Sequence, residues 1–565
     1  MRVAHGSRRA LIGLFVCLWL AGTGLAEASA QRSAQEDQRL QQARQAMAAG
    51  RFAEAAPLFI AVLQDRPDEI DALSGATDAL AWSGRWRDAL PYLRRLLALQ
   101  PYDIRRLSQC GEMLSWSSAT RGEAREMLER ALDLEPSDRR ARTALAFLDA
   151  WSGHTGAALD GFDAVLAADA SDAAALRGLA DIRVWNGDYI VARELAQKSL
   201  NADPANPYAR LTLARAEVGL GRYDEALDAL KALPAGAEYD DLDQIRGDAL
   251  RGASRWVGVG FSWRDDRSGL SVSRPSATVS SPVGKRGSVS AWFNPTFFSG
   301  PEGDFHSYRL GGSFDARNDS WRVHGEADAE RYGTSGPTAV DGAFEAAYRG
   351  RGPATLILGF RREAVEDTLV STKGLEIGGE FVGQVRSNLA YASIGAGSLR
   401  THLDATVRAG GGVYTGHGLE SNRRWNVSGS LGATLHGDRP YVRIGYNVEY
   451  ISFEFDASAR PFAPGERRAG GYFSPTKFLT NFAVAHVGSR FAHDRGEVFA
   501  EGSLGTQNVE TTYGRFGDTG TAGTLAAGAT WRPNPVNELR VEYRYLNVFN
   551  AFRRHTAAIA YRHYF

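Results

Sequence analysis

Three carboxylates recur at every second residue, Glu326, Asp328 and Glu330, and they are the arrangement in this 565-residue chain that comes nearest to catalytic chemistry. On a strand, residues i, i+2 and i+4 share a face, so the acids stand side by side as the carboxylate pair of a glycosidase does. Arg322 and His324 fall on the same face, and the plainer reading is a charged wall beside water. No G-x-S-x-G, H-E-x-x-H, P-loop or dinucleotide fingerprint occurs, and the eleven histidines are scattered without metal-ligand spacing. Two cysteines exclude a disulfide framework and any Cys-based zinc or iron–sulfur site. With 65 basic and 66 acidic residues the net charge is −1, which gives no pull toward nucleic acid. The chain therefore reads as a non-enzyme, with no cofactor, metal or nucleic-acid partner.

Four tryptophans form a second set with chemical potential: Trp82, Trp116, Trp151 and Trp185 recur in one phase. Indole faces stack on sugar rings, so the four could form a ladder for a polysaccharide. The competing reading, and the favoured one here, is that each closes a core between repeats. The elements that hold them repeat every 34 residues. "AGRFAEA" at Ala49–Ala55, "SGRWRDAL" at Ser83–Leu90, "SGHTGAAL" at Ser152–Leu159, "NGDYIVA" at Asn186–Ala192 and "LGRYDEAL" at Leu220–Leu227 share a frame. Gly50, Gly84, Gly153, Gly187 and Gly221 are spaced 34, 69, 34 and 34, so a degenerate repeat lies near Ser118–Ala124. Pro67, Pro101, Pro136 and Pro204 follow in phase. The period, with Gly, an aromatic, small Ala and then Pro, resembles the tetratricopeptide repeat. About six repeats would stack into an α-solenoid, closed by a capping helix over residues 239–252.

Arg2, Arg8 and Arg9, the apolar stretch Ala10–Leu25 and Ala28-Ser29-Ala30 have the order of a secretory signal peptide. This gives a leader at 1–30, a periplasmic solenoid at 31–254 and a third region at 255–565. In that region the period becomes two. Leu539, Val541, Tyr543 and Tyr545 alternate with Arg540, Glu542 and Arg544; Val442, Ile444, Tyr446, Val448 and Tyr450 alternate with Arg443, Gly445, Asn447 and Glu449; Trp321, Val323, Ala327 and Ala329 alternate with Arg322, His324, Glu326 and Asp328. Segments of about 9–13 residues can cross a bilayer at a tilt. Tight turns (Arg532–Asn537, His493–Gly496, Gly437–Pro440) alternate with longer loops (Asn508–Ala522, Asp456–Lys477, Thr415–Arg423), as in outer-membrane barrels. The fold predicted is a multidomain α + β chain: a solenoid, then an antiparallel transmembrane β-barrel of about 16 strands. If the apolar faces meet lipid, Arg322, Glu326, Asp328, Arg443, Glu449, Arg540, Glu542 and Arg544 line a pore. Phe565, with Tyr561 and Ile559 on its face, resembles the terminal assembly signal of bacterial outer-membrane proteins; His563 departs from it.

Gly470-Gly471-Tyr472-Phe473-Ser474-Pro475 resembles a GGYFSP element in the barrel of the cellulose synthase outer-membrane subunit, with Thr476 where that family has Gln. The order of leader, solenoid and barrel is similar throughout to the outer-membrane exopolysaccharide export proteins of Gram-negative bacteria. The resemblance implies a passive conduit for a cellulose-like glycan, with the repeats docking an inner-membrane synthase or periplasmic enzymes. The rival is a binding or assembly scaffold without transport, similar to YaiO-type barrels.

Overall fold

In the computed structural model, residues 34–565 are described except for 235–238, 240, 268, 302, 334–337, 437–439, 459–469, 493–494, 511–518 and 549–551. The leader at 1–30 lies outside the described residues, as do the centres of the Gly437–Pro440 and His493–Gly496 turns and much of the two longest loops. The chain divides into two compact units, one ending at Ala168 and one beginning at Asp169.

The first unit is helical. It contains α1 (residues 34–48), α2 (Phe52–Asp65), α3 (Ile70–Trp82), α4 (Trp86–Leu99), α5 (Ile104–Ser115), α6 (Arg121–Leu134), α7 (Arg139–Trp151) and α8 (Thr155–Ala168). The recurring glycine has one cause. Gly50, Gly84 and Gly153 have φ of 70°, 80° and 81°, and the next residue's N–H closes back on the helix: Arg51 on Ala46, Arg85 on Leu80, His154 on Asp149, at 2.8–2.9 Å. This is the Schellman ending, which needs a left-handed residue. The degenerate repeat lacks that glycine. A 3-10 turn, Ser118–Thr120, replaces it, and the Thr120 hydroxyl donates to the Leu114 carbonyl at 2.6 Å. The small residue that follows also has one cause: Ala55, Ala89, Ala124 and Ala158 are fully buried where helices cross. Asp103 and Asp138 cap the next helices by accepting backbone N–H bonds from Arg106 and Arg140.

The favoured reading of the tryptophans fails. Trp82 is 60% exposed, Trp116 47% and Trp185 55%; Trp151 is half-buried. They occupy the last turn or cap of their helices, where the chain is already turning away, and the space between helices is filled by Leu73, Leu80, Leu107 and Leu114 with the alanines.

The second unit opens with α9 (Ala173–Trp185), α10 (Tyr189–Ala202), α11 (Pro207–Gly219), α12 (Tyr223–Lys231) and α13 (Leu242–Ala253), where Ala192 and Ala226 continue the buried series. In α13, Ile245 is buried beside Leu211 and Leu230, whereas Leu250 is exposed. Strands begin at Trp256. The first seven are β1 (Trp256–Asp266), β2 (Ser271–Val283), β3 (Gly287–Ser299), β4 (Phe305–Arg317), β5 (Trp321–Tyr332), β6 (Thr338–Arg349) and β7 (Ala354–Ala364). After α14 (Leu369–Lys373) and the three-residue β8 (Leu375–Ile377) come β9 (Glu380–Gly397), β10 (Leu403–His417), β11 (Asn422–His436), β12 (Tyr441–Phe453), β13 (Lys477–Phe491), β14 (Gly496–Glu510), β15 (Thr519–Asn534), β16 (Asn537–Val548) and β17 (Phe552–Tyr564).

β8 pairs only with the start of β9. The other sixteen strands pair with their antiparallel neighbours all the way round, and β17 returns to β1 in register from Trp256↔Tyr564 to Asp266↔Arg554. The result is a closed 16-stranded barrel. Closure satisfies every ladder bond without water, which is why strands cross membranes in this form. Val259, Leu310, Leu431, Leu504 and Val541 form part of an exposed apolar outer face. Aromatic pairs mark its borders: Trp321–Tyr348 and Phe491–Trp531 near the short turns, and Trp425–Tyr450 near the long loops. These belts are the outer-membrane pattern. No helix among the described residues is long and apolar enough to span a bilayer.

Candidate functional site

Antiparallel pairing puts alternate residues of every strand on the inner face, and the eight residues proposed from sequence lie opposite the apolar belt. They stand in three sectors of wall and do not gather into one cluster. On β5, Arg322 holds Asp315 of β4 at 3.0 Å, Glu326 lies 3.7 Å from His324, and Asp328 is 3.3 Å from Arg309. On β12, Arg443 reaches across to Asp404 of β10 at 2.6 Å, and Glu449 shares its strand face. On β16, Glu542 is held between Arg540 (3.0 Å) and Arg544. Asp328 and Glu330 thus share Arg309, while Glu326 lies beside His324. Inner-face groups not singled out from sequence include Tyr391, whose hydroxyl donates to Glu345 at 2.7 Å beneath Arg408, and His486, stacked on Phe499. Their strands carry weaker alternation, which hid them.

At the long-loop end of the barrel, the segment that follows β7 packs against residues of β1, β2, β4 and β9. Glu366, just after β7, accepts from Arg264 and Arg274 at 2.8 Å each, with Arg309 at 3.9 Å. Burial alone would raise its pKa; Arg274, Arg264 and Arg309 overcome that and hold the carboxylate at about 2. Beside it, fully buried Glu330 accepts from Ser307, Arg309 and Tyr332 at 2.7–3.0 Å. Buried Arg386 lies 2.8 Å from Asp341 and 3.5 Å from Glu330. Residues 382–387 are all buried, and α14 is capped by a reciprocal Thr368–Ser371 box. A buried, multiply paired set of this kind fixes one arrangement and leaves a costly unpaired charge if one member is removed.

The Gly470–Pro475 element packs against the same segment. Tyr472 stacks on Tyr414 at 5.3 Å and meets Phe453, and burial pushes its hydroxyl pKa to about 12. The Phe473 N–H donates to Asp367 at 3.1 Å, the Ser474 hydroxyl accepts the Ala457 N–H at 2.7 Å, and the Pro475 carbonyl accepts from Phe453. Gly471 has φ +66°, and a Cβ there would meet the Thr368 hydroxyl at 2.8 Å. A side chain at Gly470 would strike the Tyr472 ring at 2.5 Å. The element ties the described end of the β12–β13 loop to Asp367 and Thr368 after β7 and to Ala457.

At the short-turn end, the last helices grip the barrel rim. Asp319, in the β4–β5 turn, takes Arg193 of α10 at 2.7 Å, Arg286 of the β2–β3 turn at 3.2 Å and Arg222 at 3.6 Å. Burial raises its pKa, and the three arginines reverse that, Arg193 foremost. At the end of β6, Arg349 donates to the Asn186 carbonyl at 3.0 Å, and in the β6–β7 turn Arg351 donates to Glu194 at 2.7 Å.

Fold and site together define an outer-membrane-type barrel with a helical-repeat domain ahead of it. The family models give the particulars. The "Tetratricopeptide repeat" model matches residues 46–108 and 186–241, and the "Cellulose synthase operon protein C C-terminus" model matches residues 336–528, which include Gly470–Pro475. No curated protein matches the chain. Among solved structures, a bacterial polysaccharide outer membrane secretin is similar at 12% identity and TM-score 0.42, over 55% of this chain and 99% of its own. A tetratricopeptide repeat protein from Parabacteroides merdae is similar at 15% identity and TM-score 0.35, over 38% and 84%. Pseudomonas aeruginosa pilF is similar at 19% and 0.28, over 35% and 89%.

Proposed function

We propose that the protein carries an exopolysaccharide, a cellulose-like glucan, across the outer membrane through its barrel. In this reading the repeats stand in the periplasm and dock the inner-membrane synthase or periplasmic enzymes. The observation that carries it is the match of residues 336–528 to the cellulose synthase operon protein C family, which spans most of the barrel wall. The chemistry of the inner face supports it. Arg322, Glu326, Asp328, Arg443, Glu449, Arg540, Glu542 and Arg544 are the pore-lining residues of this proposal. Their mixed charges, with Tyr391, exchange hydrogen bonds with sugar hydroxyls without one site binding too tightly for conduction. Polymerisation upstream supplies the driving force.

A non-transporting scaffold is the second reading, and the buried ion-pair set around Glu366 at the long-loop end favours it. Planar-bilayer recordings of the purified protein separate the two. A conduit should conduct, and replacing Glu366 with Ala should raise open probability by loosening that set. Silence in both proteins, with normal polymer secretion by the cells that make them, would leave the scaffold standing.

A further inference from the structure

The repeat-phased tryptophans are not core residues: Trp82 and Trp116 are exposed and Trp151 half-buried. Trp82, Trp116 and Trp151 end α3, α5 and α7 or cap them, one per repeat, and α5 packs directly on α7. Packed helices stand about 8–10 Å apart, so the Trp116 and Trp151 indoles advance by about that pitch, close to the length of a disaccharide in an extended β-linked chain, and α3 is tied to α5 through Asp78–Arg106 at 2.6 Å. Two rungs are braced from one side. Trp82 meets the Phe52 ring at 5.0 Å and Trp116 meets Trp86 at 5.5 Å, both edge to face, while much of each indole stays in solvent. Trp151 stacks on Phe147 of its own helix at 5.5 Å.

The groups beside the rungs decide the class of ligand. The residue after two of the Schellman glycines is paired with an acid three positions on, Arg51 with Glu54 at 3.0 Å and Arg85 with Asp88 at 2.8 Å, all well exposed, whereas His154 lies 3.4 Å from Asp149. Planar guanidinium and carboxylate groups next to an aromatic face suit hydroxyl-rich rings. Because the charges are matched, the rim exerts little net pull on a charged polymer. The apolar surface comes as separate rungs divided by ion pairs, unlike the continuous desolvated patch at the centre of a protein interface. A periodic row also fits a periodic ligand.

From this geometry we infer that the row Trp82–Trp116–Trp151 is a binding track for a single uncharged β-linked hexose chain, one indole per disaccharide. Trp185, in the second unit, holds the same repeat position and is 55% exposed. The identity of the polymer rests on the export reading above; the track itself does not require an open pore.

Full-length protein in detergent is titrated with cellotriose and with cellohexaose, following tryptophan fluorescence and calorimetric heat. A chain that spans two or more rungs gains from multivalency, so cellohexaose should bind at least about tenfold more tightly than cellotriose. Joint replacement Trp82→Ala, Trp116→Ala and Trp151→Ala should remove that gain with unchanged helical circular dichroism. Phenylalanine at the three positions should restore most of it, and Tyr102→Ala, an exposed aromatic outside the row, should change nothing. Equal affinity for the two sugars, an unchanged triple-alanine protein, or a stronger response to an apolar peptide than to cellohexaose would each overturn the track. Length-dependent binding by a protein that never conducts supports the track and sinks export alone; conduction and secretion without such binding sinks the track alone.

Discussion

At the scale of single residues, the structure separates positions by what surrounds them. Gly84 has nothing within 4 Å of an added Cβ but a φ of +80°, so Gly84→Ala tests backbone strain alone. A loss of about 1–2 kcal/mol is expected, read as a lower melting point of the helical signal. Cys110 is buried, and burial pushes its thiol to about 11. It should resist alkylation at neutral pH until the helices unfold; rapid labelling of native protein would contradict the packing of α5. Glu366 gives a pH dependence with a definite sign. Its folded pKa, about 2, lies below the ordinary 4.5, so its contribution to the ion-paired segment at the long-loop end is complete above the ordinary value and lost as pH falls toward about 2. Bilayer conductance should be flat from neutral pH to about pH 5 and rise only in stronger acid. None of this was legible for Glu366, because its arginines come from β1, β2 and β4, some 57–102 positions earlier in the chain.

Among the elements, those with a strict local rule could be read and those defined by distant partners could not. The repeat helices announce themselves because a Schellman ending demands glycine and a close crossing demands alanine, each at a fixed offset. The strands announce themselves by alternation, because one face meets lipid. The tryptophans share the repeat's period, and periodicity alone cannot separate a buried rung from an exposed one. Gly470–Pro475 could be matched as a string, but its job depends on Thr368, Asp367 and Tyr414, far away in sequence. The alternation on β16 makes a sharp test. Val541→Arg places a charge on the apolar belt at a cost of about 2–4 kcal/mol near mid-bilayer, so heat-modifiable folded barrel should diminish. Arg544→Glu, on the other face, should leave assembly intact and shift ion selectivity toward cations. Unaltered selectivity in that variant would remove β16 from the pore wall.

For the molecule as a whole, the grip of the last helices on the rim gathers three arginines on one acid, Asp319. Asp319→Ala leaves Arg193, Arg222 and Arg286 to repel one another, and limited proteolysis should then cut between Leu233 and Trp256 faster while the barrel core stays protected. The seam of the barrel carries a consequence in time. Trp256 pairs with Tyr564, so the first strand waits for a partner 308 residues further along the chain. Each hairpin between can form from near neighbours, yet a sheet of fifteen strands still presents two bare edges, whose unpaired amides and carbonyls hydrocarbon will not tolerate. The last stitch is therefore the step that commits the chain to lipid. Until then the growing sheet needs water or another protein along its open margins, and a lesion in β17 should act as a defect of assembly timing, stranding an otherwise sound ribbon short of the membrane.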